Sequence, residues 1–323
     1  MKKMLHSLAA YWLTWLRHPR SITLRRRSRA LGDNLLLSCL AREIKRCDPS
    51  RFVIMETCWP EFFEQNPHVD AVFTIKAALW YAKPEYVITP DTREHLLDQM
   101  IKQLPLPVRD WERRVDLWYQ EEAVNATLRD IPVGYLVVNP SGKQKHSANR
   151  KEWGWRNFCD LRKHFASSPV VQIGDAETPL LPDTIDQRGR PILESAHLIK
   201  RAAVGVFLEG GMMHLANAVN TPSVIIYGGL IRPEVSGYAM HRNLYAAPPC
   251  SPCFTSQAAM TDCASMECMQ MISVQQVAAA IEELCDLRRK DARFNDRPVA
   301  CSAIMPDEAD ASKNLQQPQS FLP

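Results

Sequence analysis

AVGVFLEGGMMHLANAVNTPSVIIYGG, residues Ala203–Gly229, holds two apolar runs with a glycine pair and a helical run between them. Val204–Leu208 and Ser223–Tyr227 are near-continuous apolar segments, the pattern of parallel strands covered on both faces. Glu209-Gly210-Gly211 predicts a tight strand-to-helix turn, and the helix opens near Met212. Ala216, Asn217 and Ala218 are small enough to let that helix lie close on a sheet. Glycines at such a turn let backbone approach a ligand, and the first amides of the helix favour an anion. The plain alternative is an ordinary βα turn with no ligand.

Working upstream, Tyr135–Val138 predicts a strand that ends in Asn139-Pro140-Ser141-Gly142, followed by a basic loop from Lys143 to Glu152. A helix over 155–165, a strand over 170–173 and a helix over 195–202 lead into the opening unit. Nearer the start, strands are predicted at 22–27, 52–56 and 71–75, with helices at 34–46 and 59–65 between them. This alternation predicts an α/β fold. From 76 to 130 the pattern thins: a short strand at 87–89, then helices at 94–104 and 110–128. Downstream, an amphipathic helix spans 274–287, and a polar tail from about 288 has the composition of a disordered segment.

With 323 residues and a net charge of +3, the chain is long enough for two domains and lacks the basic character of a nucleic-acid binder. Its ten cysteines are mostly scattered among apolar neighbours, which suits a reducing cytoplasm. Four cluster as Cys250-x2-Cys253-x9-Cys263-x4-Cys268. That grouping offers a tetrahedral thiolate site for structural Zn or Fe, or else a loop stiffened by thiols. Over residues 1–20 the apolar face Met4, Leu5, Leu8, Tyr11, Trp12, Trp15 and Leu16 predicts an amphipathic helix. It is too short to span a bilayer. Basic flanks (Lys2, Lys3, Arg17, Arg20, Arg25, Arg26, Arg27) suit the surface of an anionic membrane, the alternative being a helix docked on its own domain.

Three motifs in order resemble glycosyltransferase family 9, the bacterial ADP-heptose:lipopolysaccharide heptosyltransferases. They are Ala30-Leu-Gly-Asp-Asn-Leu-Leu-Leu with Asn66-Pro-His-Val-Asp70; Asn139-Pro-Ser-Gly with Arg150-Lys-Glu-Trp153; and Glu209-Gly-Gly-Met-Met-His-Leu-Ala-Asn-Ala with Thr221-Pro and Tyr227-Gly228. The resemblance implies a GT-B fold, two Rossmann-like domains facing across a cleft. Residues 21–130 would form a shortened acceptor domain and 131–287 the sugar-nucleotide domain. It implies inverting transfer from a nucleotide-diphosphate sugar, typically ADP-heptose, to a saccharide or lipid-linked acceptor. No metal is required for that chemistry; the scattered cysteines place the expected location in the cytoplasm, with or without contact of the first helix to the inner face of the membrane.

By match to the family, Asp33 is the general base. On spacing alone it is as naturally a cap for a helix beginning at Asn34. Lys151 matches a phosphate-contacting lysine, with Lys143 and Lys145 on the same loop. Gly210, Gly211 and Met212 would offer amides to the diphosphate, and His214 either a phosphate contact or support for the turn. Glu209 would accept from sugar hydroxyls, and Asn139 and Ser141 would add contacts at the rim. Glu209-Gly-Gly departs from the family's Asp-Thr-Gly, which leaves other donors open. Two alternatives therefore stand beside heptosyl transfer: the same fold using another nucleotide sugar or glycosylating a protein, and a non-catalytic member that binds nucleotide sugars or partner enzymes.

Overall fold

The computed structural model describes residues 2–128, 130–142, 147–255 and 261–290. Two parallel sheets organise the chain. The first is built from β1 (Ile22–Arg26), β2 (Val53–Thr57) and β3 (Ala71–Phe73), hydrogen-bonded in that order. Helix α1 (Lys2–Arg17) precedes it, and α2 (Leu31–Cys47) links β1 to β2. Short helices α3 (Leu96–Ile101) and α4 (Glu121–Ala126) follow.

The second sheet has six parallel strands in the order β6-β5-β4-β7-β8-β9. Its elements are β4 (Leu136–Asn139), α5 (Trp155–His164), β5 (Val170–Gln172), β6 (Ile185–Asp186), α6 (Ile192–Arg201), β7 (Val204–Leu208), α7 (Gly211–Ala218), β8 (Ser223–Tyr227), α8 (Pro233–Ser236) and β9 (Arg242–Tyr245). After them come α9 (Glu267–Gln270) and α10 (Val274–Lys290), which lays Val277, Ile281 and Leu284 into the same core as Val204, Val206, Val224 and Ile226. The chain runs β4 to β6 in one direction, then returns to place β7 beside β4. The crevice beyond the carboxyl ends of β4 and β7 is thus a topological switch point, where open α/β sheets bind ligands.

The strands expected around Ala203–Gly229 stand at Val204–Leu208 and Ser223–Tyr227, all ten residues buried. The first half departs more. The helix expected at 110–128 is confined to Glu121–Ala126, and residues 111–120 take no regular structure. Side chains of two helices hold this strap instead. Ser38 Oγ accepts from the Asp116 amide at 2.8 Å, and the Arg42 guanidinium donates to the carbonyls of Glu112 and Arg114. Asn217 of α7 accepts from the Val115 amide at 3.0 Å. Backbone groups committed to side chains cannot close helical turns. The strand expected at 87–89 is absent, and the helix expected at 59–65 shrinks to one 3₁₀ turn at Pro60–Phe62.

Helix α1 docks on the first sheet. Tyr11 is buried, its hydroxyl 3.1 Å from Thr23 Oγ1 and its ring edge-on to Phe73, with Leu8, Trp12 and Trp15 packed alongside. Three of its expected basic flanks are half-buried and engaged. Arg25 pairs with Glu56, Arg26 with Asp33, and Arg27 donates to the Thr74 carbonyl, so each of the three has a partner within the first half. Among the described residues no helix is long and apolar enough to cross a membrane. Residues 288–290 continue α10, and the rest of the expected tail lies outside the described residues.

Candidate active site

The amino ends of α2 and α7 meet where the two halves touch. Neither helix has a side-chain cap, the N-cap residues being Ala30 and Gly210. A Cβ on Gly211 would touch Leu31 at 3.1 Å, so glycine is what lets the turns approach. Gly210 has φ +142°, a conformation L side chains rarely adopt, and a Cβ there would meet nothing within 4 Å. Two helix amino ends side by side concentrate positive potential.

Asp33 lies within the first turn of α2, which begins at Leu31, rather than on the strand end or at the cap. Both carboxylate oxygens are engaged. Tyr86 Oη donates to Oδ1 at 2.6 Å; Arg26 and Ser28 donate to Oδ2 at 2.6 and 3.0 Å. Burial pushes the Asp33 pKa up, but the Tyr86 bond and the Arg26 charge outweigh it and hold the carboxyl below its ordinary value. Burial and the Asp33 charge together push the Tyr86 hydroxyl well above the ordinary phenol range, so it remains a donor.

On the other half, Glu209 follows β7 directly and is buried, its carboxylate paired with Lys151 and 3.4 Å from Ser236 Oγ. Asn139 ends β4 opposite Phe207 of β7 and accepts from the Ser141 amide at 3.4 Å. Ser141 Oγ lies 2.9 Å from Thr178 Oγ1. Met212 stands half-buried in the first turn of α7. His214, also on α7, is buried and pairs through Nδ1 with Tyr238 Oη at 2.6 Å. Burial lowers its pKa to about 4, so the imidazole is neutral near pH 7; Glu209, Asp33 and Lys151 all lie close enough to bias it.

The structure thus gathers Asp33, Lys151, Glu209, Gly210, Gly211 and His214 around one junction, with Asn139 and Ser141 at the switch point on the same side of the sheet. Lys143 and Lys145 lie outside the described residues. Spacing did not indicate Tyr86, which reaches Asp33 across 53 residues, or Tyr238. For Arg26 a signal existed in the Arg25–Arg27 run, but the run reads equally as a surface charge cluster.

The four clustered cysteines lie between β9 and α10, in a stretch described except for residues 256–260. All four thiols are free; Cys250 is exposed, and Cys253 Sγ accepts from Arg150 at 3.4 Å. Cys253 and Cys263 are near enough to Cys268 to affect its ionisation. Even so, among the described residues no three His, Cys, Asp or Glu side chains converge on one point as ligands.

Comparison with protein-family models finds no match, and comparison with curated protein sequences finds none either. Solved structures do match. A glycosyl transferase family 9 protein from Veillonella parvula superposes with a TM-score of 0.66 at 15% identity, covering 83% of this chain and 98% of that one. ADP-heptose lipopolysaccharide heptosyltransferase II of E. coli gives 0.61 at 14% identity, covering 83% and 99%. The dodecameric iron-containing heptosyltransferase TibC, known from enterotoxigenic E. coli and solved with ADP-D-β-D-heptose, gives 0.62 at 15% identity, covering 83% and 76%. The chain has the mixed α/β, parallel-sheet fold of these proteins.

Proposed function

We propose that this protein is an inverting glycosyltransferase that takes a sugar from a nucleoside-diphosphate donor, heptose from ADP-heptose foremost. The acceptor is a lipopolysaccharide-type saccharide. One observation carries the reading: a carboxylate from the first half, Asp33, and a cation–carboxylate pair from the second, Lys151–Glu209, meet around His214 between two helix amino ends. The proposed division follows the two sheets, with acceptor on residues 21–130 and donor on 131–287, in a GT-B arrangement. The solved relatives named with ADP-heptose support the donor class.

In the proposed reaction the acceptor hydroxyl attacks the anomeric carbon from the face opposite the diphosphate. Its proton passes to an Asp33 oxygen as the new C–O bond forms and the bond to the diphosphate breaks. Oδ1 holds one hydrogen bond, from Tyr86, and retains a second lone pair for that proton. The departing diphosphate gains charge beside Lys151 and the amides at the start of α7, a preorganised set of donors. Glu209 then exchanges its lysine partner for sugar hydroxyls. No step is routed through a metal, and the thiols at 250–268 take no part. The protein would act in the cytoplasm, at the inner face of the membrane.

The test is a panel of sugar nucleotides followed by thermal unfolding. ADP-heptose should raise the melting temperature in the wild type, and Lys151→Ala should reduce that shift. Asp33→Ala should keep the shift and lose transfer to a truncated lipopolysaccharide acceptor. A panel in which no nucleotide shifts the transition removes the donor site.

A further inference from the structure

The apolar face of α1 is split by its docking. Leu8, Tyr11, Trp12 and Trp15 serve the first sheet, while Leu13 and Leu16 remain outside, Leu16 at 65% exposure. A loop after β3 meets the helix at Trp15, the neighbour of Leu16 in the chain. Its Ala77 and Ala78 are buried, their amides held by Glu56 Oε1 at 3.0 and 2.7 Å, and the next residues, Leu79 and Trp80, are thrust into solvent. Trp80 is 70% exposed, and its ring stacks on Trp15 with centroids 6.0 Å apart. Helix and loop therefore form one surface. Large apolar side chains collected in this way, anchored by backbone bonds to a buried carboxylate, are unlike singly scattered surface residues.

We infer that this surface, Leu13 and Leu16 of α1 with Leu79 and Trp80 of the adjoining loop, seats the protein on an anionic lipid bilayer. Charge selects the occupant. No acidic residue precedes Asp33 in the chain, and Arg17, Arg20 and Lys76, each within four residues of Leu16 or Trp80 in the chain, are exposed. Two aliphatic side chains and a tryptophan beside cations match the boundary between headgroups and acyl chains. A second copy of this chain would have to bring the same cations against themselves, because a two-fold contact repeats one patch. This deepens the acceptor part of the proposed function, and rests on it only for the purpose of the seat: the first half, which carries Asp33 on α2, would be held at the surface where a lipid-linked saccharide is presented.

Flotation of the full chain with vesicles tests the seat without donor or acceptor, so its failure is separate from any failure of the transferase reading. Binding is expected to vesicles containing phosphatidylglycerol, to fall at high salt, and to be weak with phosphatidylcholine alone. Leu16→Ser with Trp80→Ser should reduce bound protein about tenfold or more at unchanged melting temperature. Leu180→Ser, at an exposed leucine of the second half, should bind as the wild type does. The inference is overturned if the double variant floats like the wild type or if anionic vesicles capture nothing. It is equally overturned if sedimentation shows the double variant losing self-association while vesicle binding persists.

Discussion

A methyl group on Gly32 would stand 2.6 Å from Cδ2 of His214, a residue 182 positions further along the chain. The two halves are tightly packed here, and that packing depends on the absence of one side chain. His214 is fully enclosed and pinned by Tyr238, so it cannot swing aside freely.

Gly32→Ala should therefore destabilise the protein by about 1–3 kcal/mol, the usual cost of forcing atoms into a packed interior. In an open helix the same change would stabilise by up to about 1 kcal/mol. Urea unfolding of the two proteins gives the sign, and a stabilised variant would show that the halves do not hold this contact in solution.

Tyr86→Phe removes a hydrogen bond that lowers the Asp33 pKa. The carboxyl should then titrate at higher pH, and the acid limb of kcat/KM should move up with it, because the base must be ionised to accept a proton. A variant with reduced rate but an unmoved acid limb would assign Tyr86 to acceptor binding instead.

Three buried histidines surround Tyr238: His95 from the first half, His214 and His241 from the second, with ring centroids 5.6–5.9 Å away. Burial holds their pKa values near 4, 4 and 3, below the ordinary 6.5. The unfolded chain takes up protons first, so stability is full above about pH 6.5 and falls as pH drops toward 4. Three such groups give a limiting slope of about 4 kcal/mol per pH unit. His95 Nδ1 also accepts from the Leu97 amide at the start of α3. His95→Asn keeps an acceptor there and removes one titrating group, so denaturation between pH 7 and pH 5 should show a shallower loss.

Glu209→Gln should separate the two ends of the donor. Released from its carboxylate, Lys151 becomes a stronger partner for a free nucleoside diphosphate, and ADP affinity should rise several-fold, up to about tenfold. The sugar loses a charged acceptor, so the advantage of the sugar nucleotide over ADP should shrink. Calorimetric titration with both ligands measures the ratio; an unchanged ratio would place the sugar elsewhere.

Legibility in the sequence followed how local each signal was. The strands around Ala203–Gly229 stand where their apolar runs begin and end, since burial on both faces leaves no ambiguity. The region 110–128 misled because its apolar and charged residues have helical spacing while its backbone is claimed by Ser38, Arg42 and Asn217. Asp33 was located by motif, but its setting was not: Arg26 lies nearby in a run of three arginines, and Tyr86 arrives from a stretch with no pattern of its own. The cysteine spacing suggested a tetrahedral site; among the described residues Cys253 accepts from Arg150 and Cys250 is exposed, contacts that the spacing could not show.

The strap at 112–116 has a mechanical meaning. Neighbouring amides grip opposite helices, Val115 on Asn217 of α7 and Asp116 on Ser38 of α2. Consecutive Cα atoms are about 3.8 Å apart, so the slack between the grips is a single peptide unit. If α2 and α7 separate by more than a few ångströms, one grip must release. Separation is then a latch rather than a smooth stretch, and because Arg42 of α2 also holds the carbonyls of Glu112 and Arg114, the grip that lets go is Val115 on Asn217 and the strap leaves with α2.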